Sequence, residues 1–184
     1  MILSLGLAIT AATSADVPAS SPFAGMPNVI FQYYDVEGRT PAEIYQSMRA
    51  RAPQTDDGDG VARTAWHIRA GWRQSRRGDD CEVADPMTSL SITVVLPRLA
   101  TTEGVTPEAL DYWERTMRGL EIHEAGHARI AIDHRRDFVT AAAEASCGSI
   151  KDVARRTQER IEEIQEDYDR RTRHGITQIP GAGE

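Results

Sequence analysis

The chain lacks a basic surplus. Its 184 residues carry 21 Lys and Arg against 28 Asp and Glu, a formal net charge of −7. The phosphate backbone would repel such a chain, so no nucleic-acid partner is expected. The arginine pairs Arg135–Arg136, Arg155–Arg156 and Arg170–Arg171 are interleaved with acidic residues and read as solvated helix surface. A long hydrophobic run is also missing. The apolar opening, MILSLGLAITAATSA, is too short for a stable membrane span. Cysteine is scarce: Cys81 and Cys147 stand alone and lack the C-x-x-C spacing of a metal site. An even count in an oxidising compartment favours one disulfide between them. No internal repeat breaks the chain into units, and the length suits one domain with a core of its own.

The uncharged opening reads as the apolar region of a secretory signal, although no basic residues precede it. Thr13 and Ala15 are small and place cleavage after Ala15. Residues 1–15 are therefore read as a signal peptide, and the Ala-Pro-Ser-rich residues 16–27 as a flexible mature terminus. The expected location is the periplasm or the cell exterior.

The pattern from residue 28 predicts an α+β domain. NVIFQYYDV is rich in β-branched and aromatic residues and predicts a strand at about Asn28–Val36. Thr40, Pro41 and Glu43 then open a helix as cap, first-turn proline and capping-box acid. TAWHIRAGW alternates, with Trp66, Ile68 and Trp72 on one face and His67 and Arg69 on the other. LSITVVL alternates again, and the two strands predict a hairpin broken or bulged near Pro86. Thr106 and Pro107 cap a helix expected to run to about Ser146, with Gly119 a place for a bend. After a stop at Gly148, a last helix is expected over about Ile150–Arg171. The architecture predicted is a small, mostly antiparallel sheet with an N-terminal helix and a C-terminal helical hairpin. That domain spans residues 28–175, and 176–184 read as an irregular tail.

The first arm of that hairpin carries H-E-x-x-H as His123, Glu124 and His127. One helical turn separates the histidines, so both rings can reach one tetrahedral ion. Glu124 lies beside them, displaced around the helix, where it can serve a water without being a ligand. The pair continues the stripe Thr116, Leu120, Ile130 and so faces inward.

A zinc site needs a third ligand. Asp133 stands where a metzincin places its last one, but Ile130 replaces the glycine that would turn the chain back. His134 lies too far along the axis. In a hairpin reversing near Cys147–Gly148, His123–His127 face about residues 168–172. His174 is then the expected third ligand, with an exposed position after the helix end as its alternative. Glu166 is the nearest glutamate.

The motifs YYDVEGRTPAEIYQSMR, TAWHIRAGWR, CEV, HEAGHARIAI, SCG and YDRRTRHG follow one another in this order. From about Val29 to Gly175 this resembles a bacterial family of predicted secreted zinc-dependent proteases, catalogued as domain of unknown function nine-twenty-two. The resemblance implies His123 and His127 as zinc ligands and Glu124 as catalytic residue. It marks Tyr168, Asp169, Thr172, His174 and Gly175 as signature positions. The expected function is peptide hydrolysis by metal-activated water, with Zn2+ as cofactor, Glu124 as general base and a peptide or protein as substrate. Tyr168 would stabilise the developing oxyanion or fill the core, and Asp169 would orient a ligand histidine by accepting a hydrogen bond from its ring. The alternative is a secreted zinc-binding or partner-binding module without turnover.

Overall fold

The structure, a computed structural model, describes residues 10–13, 18–53, 60–77 and 80–181. Its elements run β1 (Thr10–Thr13), β2 (Val29–Val36), α1 (Pro41–Arg51), β3 (Arg63–Arg77), β4 (Asp80–Leu99), α2 (Pro107–His134), α3 (Asp137–Ala143) and α4 (Ile150–Thr172). A 3-10 turn at Ile176–Gln178 follows. The four strands form one sheet in the order β1-β2-β4-β3. β1 and β2 pair antiparallel, β2 and β4 parallel, and β4 and β3 antiparallel. The expected α+β class and mostly antiparallel sheet are thus observed. No helix among the described residues is long and apolar enough to cross a membrane.

Local chemistry sets the boundaries. Thr40 Oγ1 accepts from the Glu43 N–H at 3.3 Å, and the Glu43 carboxylate accepts from the Arg39 N–H at 2.7 Å, closing a box over the start of α1. Thr106 caps α2 in the same way, accepting from the Ala109 N–H at 3.2 Å. In the hairpin, Gly71 pairs with Met87 and Arg73 with Ala84, so Trp72 alone opposes Asp85 and Pro86. This is the bulge expected near Pro86, and Asp85 takes φ +48° there.

The core lies between the sheet and the helices. Leu90, Ile92, Val94 and Leu96 of β4 are buried, as their alternation requires, together with Val29, Phe31 and Val36 of β2. Ile44 and Met48 of α1 close one side. α2 contributes small residues, Ala109, Ala125, Ala128 and Ala131, which bring its backbone close to its neighbours. Cys81 and Cys147 are disulfide-bonded, tying the hairpin end to the loop before α4. With the cysteines 66 positions apart in sequence, the bond contributes about 4 kcal/mol in the chain-entropy account.

Three readings of the sequence change. The helix begun at Thr106 stops at His134 instead of Ser146, and α3 leaves in a new direction. The break buries Phe138 and Ala142, which line a small space against Trp72 and Met87 of the hairpin. α2 runs on through Gly119, as expected, and a Cβ there would strike the side chain and backbone of Ile179. Residues 176–179 are accordingly a packed turn and not an irregular tail. Phe23 and Met26, in the stretch read as a flexible terminus, are buried in the core, with Phe23 edge-on to Phe31 at 5.0 Å. Of the residues read as a signal peptide, only Thr10–Thr13 are described, paired with β2; the others lie outside the described residues.

Candidate metal centre

α2 and α4 form the expected helical hairpin, and its inner faces assemble the site. His123 and His127 project from α2 one turn apart. Across from them α4 presents Gln165, Asp169 and Thr172, spaced i, i+4, i+7 and therefore on one face. His123 Nε2 and His127 Nε2 lie 3.2 Å apart, and each is 3.1 Å from Asp169 Oδ1. Among the described residues these three form the group of side chains close enough to share one cation.

The other ring nitrogens determine what the three atoms are. Gln165 Nε2 donates to the His127 carbonyl at 3.1 Å, which turns Gln165 Oε1 onto His127 Nδ1 at 2.6 Å. A carbonyl only accepts, so this orientation is forced, and His127 Nδ1 must carry the proton. His123 Nδ1 faces Gln178 Oε1 at 3.1 Å and Thr172 Oγ1 at 3.3 Å. The Thr172 hydroxyl donates to the Tyr168 carbonyl at 2.8 Å, so its lone pair faces His123 Nδ1–H. Both Nε2 atoms therefore present lone pairs to each other and to a carboxylate oxygen. Three electron-rich atoms at this distance repel unless a cation joins them.

The spacing fits a metal. Bonds of about 2.0–2.1 Å in tetrahedral geometry separate ligand atoms by about 3.3 Å. The observed edges of 3.1–3.2 Å are close to that. Three protein ligands leave a fourth position, the arrangement of sites that act on a bound water or substrate. All three side chains border a cleft of about 680 Å³. Residues 60–67 form its opposite wall, and Tyr45 and Arg49 of α1 its end. The volume is in the range of ligand clefts.

The family match decides the grouping. Residues 31–175 match the family described as bacterial protein of unknown function (DUF922). The chain belongs to this family. No curated protein and no solved structure matches it.

In this DUF922 chain Glu124 lies on the cleft floor beside the cluster of His123, His127 and Asp169. It is 3% exposed, and among the described residues its Oε2 has no hydrogen-bond partner. Burial pushes its carboxyl up to about 7, against the opposing pull of the Thr64 hydroxyl and of His127. The single proton of the Thr64 hydroxyl goes either to that carboxylate or to the Glu124 backbone carbonyl 3.1 Å away, and either bond ties the helix to β3. An orphaned carboxylate oxygen at the base of a cleft is costly for stability alone. His123 is shifted the other way: burial and then His127 hold its ring below the ordinary histidine range.

The structure separates the remaining sequence candidates. Asp169, read as an outer partner of a ligand histidine, places its own oxygen in the cluster. His174 stands at the cleft rim, its side chain 81% exposed, with Nδ1 3.7 Å from Asp169 Oδ1. The cause is the end of α4: Arg173, His174 and Gly175 take φ +51°, +52° and +83°, a left-handed run. That run carries His174 outward and lays Gly175 against the His123 ring, where a Cβ would come within 3.0 Å. Glu166 and Asp133 are exposed, with Glu166 3.8 Å from Arg170. Tyr168 does not line the cleft; the packing alternative describes it. Its ring stacks on His123 at 5.3 Å and stands edge-on to His127 at 5.0 Å. Its hydroxyl accepts from Gln178 Nε2 at 3.0 Å and occupies the space left by Gly126.

Gly126 is thus the x residue of H-E-x-x-H with the strictest requirement. Gly126→Ala would put a Cβ inside the Tyr168 hydroxyl. Overpacking of this kind costs about 1–3 kcal/mol. Urea unfolding should show a lowered midpoint for Gly126→Ala, and the double variant Gly126→Ala/Tyr168→Leu, which removes the ring atoms that a Cβ would strike, should lose less than the sum of the two single losses. An additive pair of losses would mean that the two residues are not in contact.

Gln165 and Gln178 were not foreseen. Gln165 had a signal, since its spacing from Asp169 and Thr172 keeps it on the inner face of α4. Gln178 had none, because only the fold brings its turn across α2.

Proposed function

We propose that this chain is a zinc-dependent peptidase acting in the periplasm or outside the cell. The observation that carries the reading is the convergence of two bare imidazole nitrogens and one carboxylate oxygen beside a buried glutamate, whose Oε2 has no partner among the described residues, in an open cleft. The donor set of two imidazoles and a carboxylate suits zinc. The disulfide supports an oxidising location.

Zinc bound at His123, His127 and Asp169 would supply Lewis acidity, making a water acidic near pH 7 and polarising the scissile carbonyl. Glu124 takes the proton from the attacking water at its free Oε2 and delivers it to the leaving amine. A cation among the ligands favours the charged carboxylate, so Glu124 enters the reaction as a base. Its burial keeps competing water away and its proton affinity high. Tyr168, stacked on one ring and edge-on to the other, holds both histidines at their angle. His174 and β3 flank the space where a peptide would lie.

The test is metal removal. The purified chain should contain one zinc, cleave an unfolded protein such as casein, lose that activity on dialysis against a chelator, and regain it with zinc alone. A zinc-loaded chain that cleaves none of a panel of unfolded proteins would refute the peptidase reading. A chain that neither contains nor takes up zinc would refute the metal reading as well.

A further inference from the structure

We infer that Gln178 is a positioning residue that fixes the tautomer of His123, making the turn after α4 a working part of the metal centre. The consequence for metal binding rests on the proposed function; the effect on the histidine does not. Gln178 lies beyond residue 175, where the family match ends, in a segment whose sequence shows no structural signal. Three contacts hold it in place. Gly119 gives passage to the Ile179 backbone, Gly175 packs on the His123 ring, and the Thr177 hydroxyl donates to the Thr172 carbonyl at 3.0 Å.

From that position Gln178 uses both ends of its amide. Oε1 accepts from His123 Nδ1 and Nε2 donates to the Tyr168 hydroxyl. Tyr168 in turn stacks on His123, so the ring is held at its edge and on its face by two linked residues. A neutral imidazole carries one proton. While Nδ1 has an acceptor, Nε2 stays bare and aimed at the cluster. Without the acceptor, the proton gains by moving to Nε2, where Asp169 Oδ1 lies 3.1 Å away. That tautomer cannot bind a metal through Nε2. Thr172 alone is a weaker hold, at 3.3 Å and with its own proton committed elsewhere.

The experiment compares Gln178→Leu, which removes the acceptor, with Gln178→Glu, which keeps it. Long-range proton–nitrogen correlation spectra of the metal-free, histidine-labelled chain read the tautomer of each ring. The His123 signals are identified by their loss in His123→Ala. Competition with a zinc indicator reads affinity on the same samples. Wild type and Gln178→Glu should show His123 protonated at Nδ1. Gln178→Leu should shift that proton towards Nε2 and weaken zinc binding by about 10–100-fold, the usual cost of losing an outer partner of a ligand histidine. Ile176→Ala, at an exposed position in the same turn, should change neither reading. If Gln178→Leu fails to fold, Gln178→Ala makes the same comparison. An unchanged tautomer and affinity in the Leu variant would overturn the inference. So would equal loss of affinity in the Leu and Glu variants with His123 still protonated at Nδ1, because the turn would then act only through packing. If the wild type binds no zinc, the proposed function fails, and the tautomer comparison alone still decides the hold of Gln178 on His123.

Discussion

Glu124→Gln is expected to lower peptide hydrolysis by about 10²–10⁴-fold while leaving the zinc content unchanged, the range that general-base catalysis contributes. The side chain keeps its size and loses only its ability to accept and return a proton. Among the described residues its Oε2 has no partner, so an amide nitrogen placed there breaks no hydrogen bond. Initial rates on a quenched peptide, with zinc measured on the same samples, check the result. Loss of zinc together with activity would make Glu124 a ligand or a support for one. Unchanged hydrolysis would remove it from the chemistry. A stability difference should accompany the rate. In the metal-free chain burial raises the Glu124 carboxyl from 4.5 to about 7. The folded state therefore holds this proton more tightly than the unfolded state, and stability attributable to Glu124 falls as pH rises from 4.5 through 7. Gln carries no such penalty. The variant should melt above wild type at pH 8, and the gap should close as the pH falls below 4.5.

The fold was legible wherever a local rule acted by itself. The Thr-Pro pairs at 40–41 and 106–107 mark helix starts because capping and the fixed proline φ are properties of adjacent residues. The alternation of β4 shows its buried face because the strand period is two. The helix break after His134 has no glycine or proline to announce it. It follows from the packing of Phe138 and Ala142 on the hairpin, which is a tertiary fact. The place of Phe23 in the core is hidden for a similar reason: one aromatic among prolines and serines has no periodicity to read.

In the site, legibility stopped at the same boundary. His123, Glu124 and His127 follow from one helical turn. The reach across to residues 168–172 follows from counting back from the reversal at Gly148, and Asp169 and Thr172 are there. The count cannot describe what happens after a helix ends. At Arg173 the backbone turns left-handed, so His174, which looks nearest on a continued helix, swings to the rim. Gln178 then enters from the turn beyond, where no helical register applies.

These two accounts of the third ligand separate cleanly in a measurement. Asp169→Ala and His127→Ala should each weaken zinc binding by more than the roughly 100-fold that marks the upper range of outer-partner losses, because each removes a direct bond. His174→Ala should weaken it by less than about 10-fold, the lower end of that range. The difference follows from position. Asp169 Oδ1 is already 3.1 Å from both bare nitrogens, while the His174 ring is mostly in solvent and its nearest nitrogen is 3.7 Å from Asp169. Replacing His174 removes little buried surface, so its variant should also unfold at the wild-type midpoint. If instead His174→Ala loses zinc as completely as Asp169→Ala, the left-handed run at 173–175 must reverse on binding and bring the ring inward. Asp169 would then return to the role of orienting a ligand, and Gly175, released from the His123 ring, would be the hinge. If only the Asp169 and His127 variants lose zinc, the metal is held by side chains that helix geometry alone brings together, and His174 is left at the cleft mouth, free to meet whatever enters it.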